Sequence, residues 1–268
     1  EDLIDSIAHD PWKVLKRKIQ RASETLSRLP RKCDLDDIPS IALIGEIYVR
    51  RDGFSRHNLV ERLSRQGFWV RTAPVAEWIR YCDYIVQNRL VAKSEWYDRI
   101  RNKITCMVKN PFEDEIRAIF AGCGFYRLFD NDVDHLIEAA RGLISPRLTG
   151  EAILTVGAAL AEIVESVDGV LALGPFGCMP SRIAEAMINN RMNTHKPEIA
   201  RDAELVKRVM EVWPSLPFLS IETDGNPFPQ LIESRLEAFL LQVSRLFETR
   251  KSIMAQKEIA SSAEASSQ

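Results

Sequence analysis

Cys178 closes the run GVLALGPFGC, where an apolar stretch ends in glycines and a proline before an amphipathic segment begins. Pro180 suits the first turn of a helix, so the thiol stands just ahead of a helix N-terminus. The positive end of that helix favours a thiolate, the form that attacks an electrophile or binds a metal. Gly174 and Gly177 allow torsions or close approaches that bulkier residues resist. The same position also suits a small buried hydrophobe in a strand–helix loop, because free cysteine is commonly buried and inert. One cysteine does not distinguish a metal ligand from a nucleophile. The chain has four histidines, none spaced for a zinc site or placed as an obvious partner for the thiol, which argues against a self-contained hydrolase.

Glu46, directly after the apolar run SIALIG, is the second residue that invites chemistry. Ionised carboxylates avoid burial without a partner. Glu46 therefore either caps a helix or pairs with Arg50, Arg51 or Arg182, or it works in a cleft. Glu222 and Asp224 in ETDGN raise the same question, and a turn role suits them better. The GPFGC loop matches neither G-x-G-x-x-G nor G-x-x-x-x-G-K-[ST], although a helix N-terminus can still hold an anion.

The elements that must position these residues follow from periodicity. Short buried runs near 40–45, 68–72, 170–174 and 217–222 predict four strands. Between the first two, Ser55 is a plausible N-cap, Leu59, Val60 and Leu63 form an apolar face, and Gly67 suits a C′ position. Strand–helix–strand within this span predicts a right-handed crossover and a parallel sheet. Residues 75–167 read as a helical insertion, with helices in PFEDEIRAIFAGCGF, in NDVDHLIEAARGLI capped by Asn131 or Asp132, and in LTGEAILTVGAALAEIVESV. The expectation is an α/β, Rossmann-like open parallel sheet of about four strands in order 2-1-3-4. It places an N-terminal helical segment at 1–37, the α/β domain at 38–250 and a flexible tail at 251–268. Ligands bind outside the carboxyl ends of such strands, where strand order reverses, so Gly45-Glu46 and Gly174–Cys178 should face each other there.

Composition narrows the function classes. A net charge of −2 over 268 residues gives no reason to expect nucleic acid. One basic stretch stands out: residues 11–32 carry eight Lys/Arg against one Glu, which reads as a solvated helix face or a contact for an anionic partner. No run reaches the roughly 18 apolar residues of a membrane span, and no membrane partner is expected. The five cysteines, Cys33, Cys82, Cys106, Cys123 and Cys178, are scattered and never form C-x-x-C, which points to a cytoplasmic setting. The chain opens on Glu1 rather than Met, as a piece of a longer protein would.

Four co-ordered segments carry a family resemblance: IALIGEIYVRRDGFSRHNLVERLSRQGFWV, PRLTGEAILTVGAAL, GVLALGPFGCMPSRIAEAM and PFLSIETDGNPFPQLIESRLEAFL. Together they resemble the C-terminal region of the 2-hydroxyacyl-CoA dehydratase-like proteins, in the branch related to activases of CoA-substrate-specific enzymes. The resemblance implies an iron–sulfur cluster to which Cys178 contributes a ligand, with Gly174 and Gly177 letting its loop approach. It further implies an upstream dehydratase-like region with the remaining ligands, an ATP-dependent activase that supplies low-potential electrons, and an acyl-CoA substrate. Glu46 would orient or protonate groups near the cluster, and a dimer is compatible with this scheme. The other four cysteines match no ligand motif of the family, so this chain by itself is expected to hold no intact cluster. Two rival expectations remain: a non-catalytic ligand- or partner-binding α/β module, and a cysteine-dependent transferase with Cys178 as nucleophile.

Overall fold

The structure, a computed structural model, describes residues 7, 9–90, 95–126, 132–223 and 229–266. The chain divides into two compact units, one of Asp36–Tyr81 with Asp132–Gln268 and one of Glu1–Leu35 with Cys82–Asn131.

In the first unit, Ser40–Gly45 (β1), Trp69–Thr72 (β2), Gly169–Gly174 (β3) and Phe218–Glu222 (β4) form a parallel sheet in the order β2-β1-β3-β4. This is the expected α/β topology. The central strands β1 and β3 are buried at every position, as their unbroken apolar runs require. On one face, Ile41, Leu43, Leu171, Leu173, Leu219 and Ile221 meet helix Leu59–Arg65 (α2) and helix Pro229–Ser266 (α9) through Leu63, Leu236, Phe239 and Val243. Each large side chain buried there contributes on the order of 1.5–3 kcal/mol. On the other face the strands present Ala42 and Ala172, small enough to admit helix Glu151–Glu162 (α6) close to the sheet. Residues 152–160 of α6 are all buried, so the helix is apolar all round because it is a core element.

Several local expectations need correction. α2 starts at Leu59 after Asn58, which adopts a left-handed conformation, and Ser55 instead donates its backbone N–H to Asp52. The stretch read as one insertion is divided: helix Val133–Ala140 (α5), capped by Asp132, and α6 belong with the sheet, whereas 82–131 group with the N-terminal segment. The division follows burial, since α5 and α6 carry most of their apolar residues inward. Asn131 and Asp224 lie outside the described residues. Among the described residues, no strand forms between Val75 and Val167. Beyond β3, helix Met179–Ile199 (α7) and helix Ala203–Val212 (α8) complete the layer. The segment read as a tail is helical to Ser266, because 249–262 holds neither Gly nor Pro and is rich in helix formers. Lys251 pairs with Asp37 and Lys257 with Asp202, tying the extension to the same unit.

The second unit pairs helix Trp12–Ser27 (α1) with helix Trp96–Ala121 (α4), which continues through Pro111 and so begins well before the expected start. Trp12 stacks edge-on against Phe112 at 4.7 Å, and Ser23 donates to the Ile119 carbonyl at 2.7 Å. Helix Val75–Gln87 (α3) carries the chain between the two units, its last two turns counting with the second.

Candidate functional site

β1 and β3 lie side by side, and the chain leaves them toward opposite edges of the sheet, so the strand order reverses between them. Gly45, with φ +102°, ends β1 so close to Leu173 that a Cβ would collide with the Leu173 backbone. The Glu46 N–H then donates to the Leu173 carbonyl at 2.8 Å. The expected juxtaposition of the Gly45-Glu46 loop with the end of β3 is therefore made through backbone.

Cys178 is the N-cap residue of α7, with φ −65° and ψ 109°, and Pro180 follows in the first turn. The residue is partly exposed. Its backbone N–H donates to the Pro175 carbonyl at 3.1 Å, and its carbonyl accepts from Arg182, which closes a tight turn. Gly177 adopts φ +71°, a torsion that favours glycine, and Gly174 leaves the room that Ser181 fills. Cys178 is the sheet unit's sole cysteine, since Cys33, Cys82, Cys106 and Cys123 all belong to the helical unit. All five are free thiols.

The two carboxylates take different roles. Glu46 turns back on its own loop, its Oε2 accepting from the Val49 N–H at 2.7 Å and its carbonyl from Arg50 at 3.1 Å. It is the cap of a local turn. Glu222 has the positioning role instead: its Oε1 accepts from the Gly177 N–H at 3.3 Å and pairs with Arg182, which also binds Glu185. A shallow groove of about 80 Å³ runs past this pair along β4, lined by Arg182, Glu185, Ser220, Ile232 and Arg235.

Beneath the β1 loop lies a buried polar cluster that sequence reasoning missed. Arg50, 5% exposed, donates to the Gly45 carbonyl at 2.8 Å and faces Glu77 at 3.7 Å. Burial pushes the Glu77 carboxyl up to about 7, against the opposing pull of Arg50. Burial likewise raises Glu151, whose Oε1 accepts from the Ile47 N–H at 3.1 Å. Arg71 on β2 pairs with Glu162 on α6, whose carboxyl burial also raises. One sequence signal was available: Glu77 and Tyr81 sit four apart, so an inward Tyr81 brings Glu77 inward too.

At the same edge, Tyr48, Phe54, Phe176 and Met179 stand exposed around loops that converge on the end of β4, where His57 Nε2 meets the Thr223 carbonyl at 3.3 Å. Among the described residues, no group of three or more His, Cys, Asp or Glu could hold a metal ion. Among the described residues, no helix is long and apolar enough to cross a membrane. No known family model, curated protein or solved structure matches this chain.

Proposed function

We propose that the sheet unit is the C-terminal domain of an iron–sulfur protein similar to the 2-hydroxyacyl-CoA dehydratases, in which Cys178 donates one thiolate to a cluster completed by residues outside the described part of this chain. Its setting is cytoplasmic, in keeping with five free thiols. The carrying observation is the position of Cys178: the sole cysteine of the unit, partly exposed, ahead of a 21-residue helix at the carboxyl edge of a parallel sheet. Four co-ordered segments of family-like sequence support the same reading. When bound, such a cluster would pass single low-potential electrons, delivered by an ATP-dependent activase, toward an acyl-CoA substrate. This chain's own residues hold the thiol in place: Glu222 and Arg182 tie its loop to β4 and α7, and Gly177 supplies the turn. Exposed Phe176 and Met179 flank the thiol and give a second protein region an apolar surface to cover, which would exclude water from the cluster.

A second reading, a partner- or ligand-binding module without chemistry of its own, is favoured by Glu46, whose carboxylate is engaged in its own turn. The transferase reading has less support, because the sequence offers no histidine spaced as an obvious partner for the thiol.

The test is anaerobic iron and sulfide analysis of the natural full-length protein beside its Cys178→Ser variant. Bound iron and sulfide that survive desalting and fall sharply in the variant support the proposal. Iron content indifferent to Cys178, or no iron in either protein, sinks it. A rapidly alkylated Cys178 in an iron-free protein would favour the transferase.

A further inference from the structure

α4 has two contrasting faces. Toward its own unit it is fastened by polar contacts: Arg99 to the Gln87 carbonyl at 3.0 Å, Asn102 to the Asp83 carbonyl at 3.2 Å, and Lys109 to the Asp83 carboxylate, with Cys106 buried among them. Away from that face, Trp96, Tyr97, Ile100, Ile104, Met107 and Val108 are between 51% and 69% exposed. At about 100° per residue these six share one arc of the helix, bordered by Arg101 on one side and Lys103 on the other. Ordinary surface helices bury the apolar arc and expose the polar one, and the first half of α4 does the reverse.

We infer that this arc of α4 lies on an anionic lipid surface, with its apolar side chains in the headgroup boundary and Arg101 and Lys103 at lipid phosphates. Three observations select that occupant. First, the charge is complementary: the two residues that border the arc, Arg101 and Lys103, are both basic, and α1, packed against α4 in the same unit, lies within the stretch of eight Lys/Arg and one Glu. Secondly, the arc opens on a Trp96–Tyr97 pair with ring centroids 6.3 Å apart, and amphipathic aromatic rings of this kind suit a membrane–water boundary. Thirdly, the stripe is too short for a coiled-coil partner. It spans fewer than two heptads, whereas a helical seam needs about three or four. A helix of this type lies in the interface and does not span it, so the mode of contact differs from the spanning segment that the sequence excludes.

The experiment is co-sedimentation of the full chain with sucrose-loaded vesicles of phosphatidylcholine alone or of phosphatidylcholine with phosphatidylglycerol. Binding to the anionic vesicles and not to the neutral ones is expected, together with a blue shift of the part of the fluorescence that Trp96→Phe removes. Ile104→Glu should lose the binding with unchanged circular dichroism. Because each basic residue near the surface contributes about fivefold, Arg101→Gln with Lys103→Gln should weaken it by roughly tenfold or more. Failure of the wild-type chain to bind, or equal binding by Ile104→Glu, overturns the proposal. So does self-association that Ile104→Glu abolishes without any vesicle binding, since the arc would then be a protein interface.

Discussion

The Glu222 carboxylate at the carboxyl end of β4 accepts from the Gly177 backbone N–H at 3.3 Å, so the loop that presents Cys178 is tied to the neighbouring strand as well as to its own helix. The same carboxylate pairs with Arg182 in the first turn of α7. Replacing it releases two constraints on one short loop while leaving the hydrophobic faces of the sheet untouched.

Glu222→Gln should therefore raise the alkylation rate of Cys178 several-fold, read by peptide mapping after timed labelling. Global stability should fall by less than about 1 kcal/mol, because the pair is partly exposed and solvent screens it. An unchanged alkylation rate would show that Pro175 and Gly177 hold the loop by themselves.

Gly45→Ala tests the close approach of β1 and β3. The alanine would have to adopt φ near +102° and place a methyl group against the Leu173 backbone. Backbone strain of this kind costs about 1–3 kcal/mol, and the collision adds to it. Urea denaturation should show a lower midpoint with an unchanged slope. A midpoint equal to that of the wild type would mean that the strand ends can separate freely.

Glu77 makes stability depend on pH in an unusual direction. Its carboxyl is raised from 4.5 to about 7, chiefly by burial, with Arg50, Arg71 and Arg51 pulling down and Glu162 pushing up. Between those values the folded chain holds a proton that the unfolded chain has released. The contribution of this group is complete below about pH 4.5 and is lost as pH rises through 7. Urea midpoints at about pH 5 and about pH 8 should thus differ less in Glu77→Gln than in the wild type. An identical pH dependence in both proteins would place the carboxyl in contact with solvent.

The strands were legible in the sequence because a central parallel strand is buried on both faces and must read as a continuous apolar run. SIALIG and GVLALG do so, and the structure places them at 40–45 and 169–174. Pro180 and the glycines marked where α7 begins for a similar local reason: torsional preference belongs to the residue and its immediate neighbours. Glu46 showed the limit of that reasoning. Its sequence position suits a helix cap, a partner for an arginine and a cleft carboxylate alike, and the bond that its carboxylate makes, to Val49, lies within its own turn.

Other features depended on contacts between distant segments. Glu77 is a helix-surface residue by local pattern, and it is buried because Arg50, more than two dozen positions earlier, folds beneath the end of β1. The apolar period of α4 predicts a helix but does not say which arc is covered, because amphipathicity is a property of one segment and burial a property of two. By itself the sequence determined where the strands and the start of α7 fall, since steric and solvation preferences act within a few residues. Only the tertiary structure decided which charged groups are desolvated, which carboxylate holds the Cys178 loop and which apolar face of α4 is left open, because those outcomes depend on what packs against each residue.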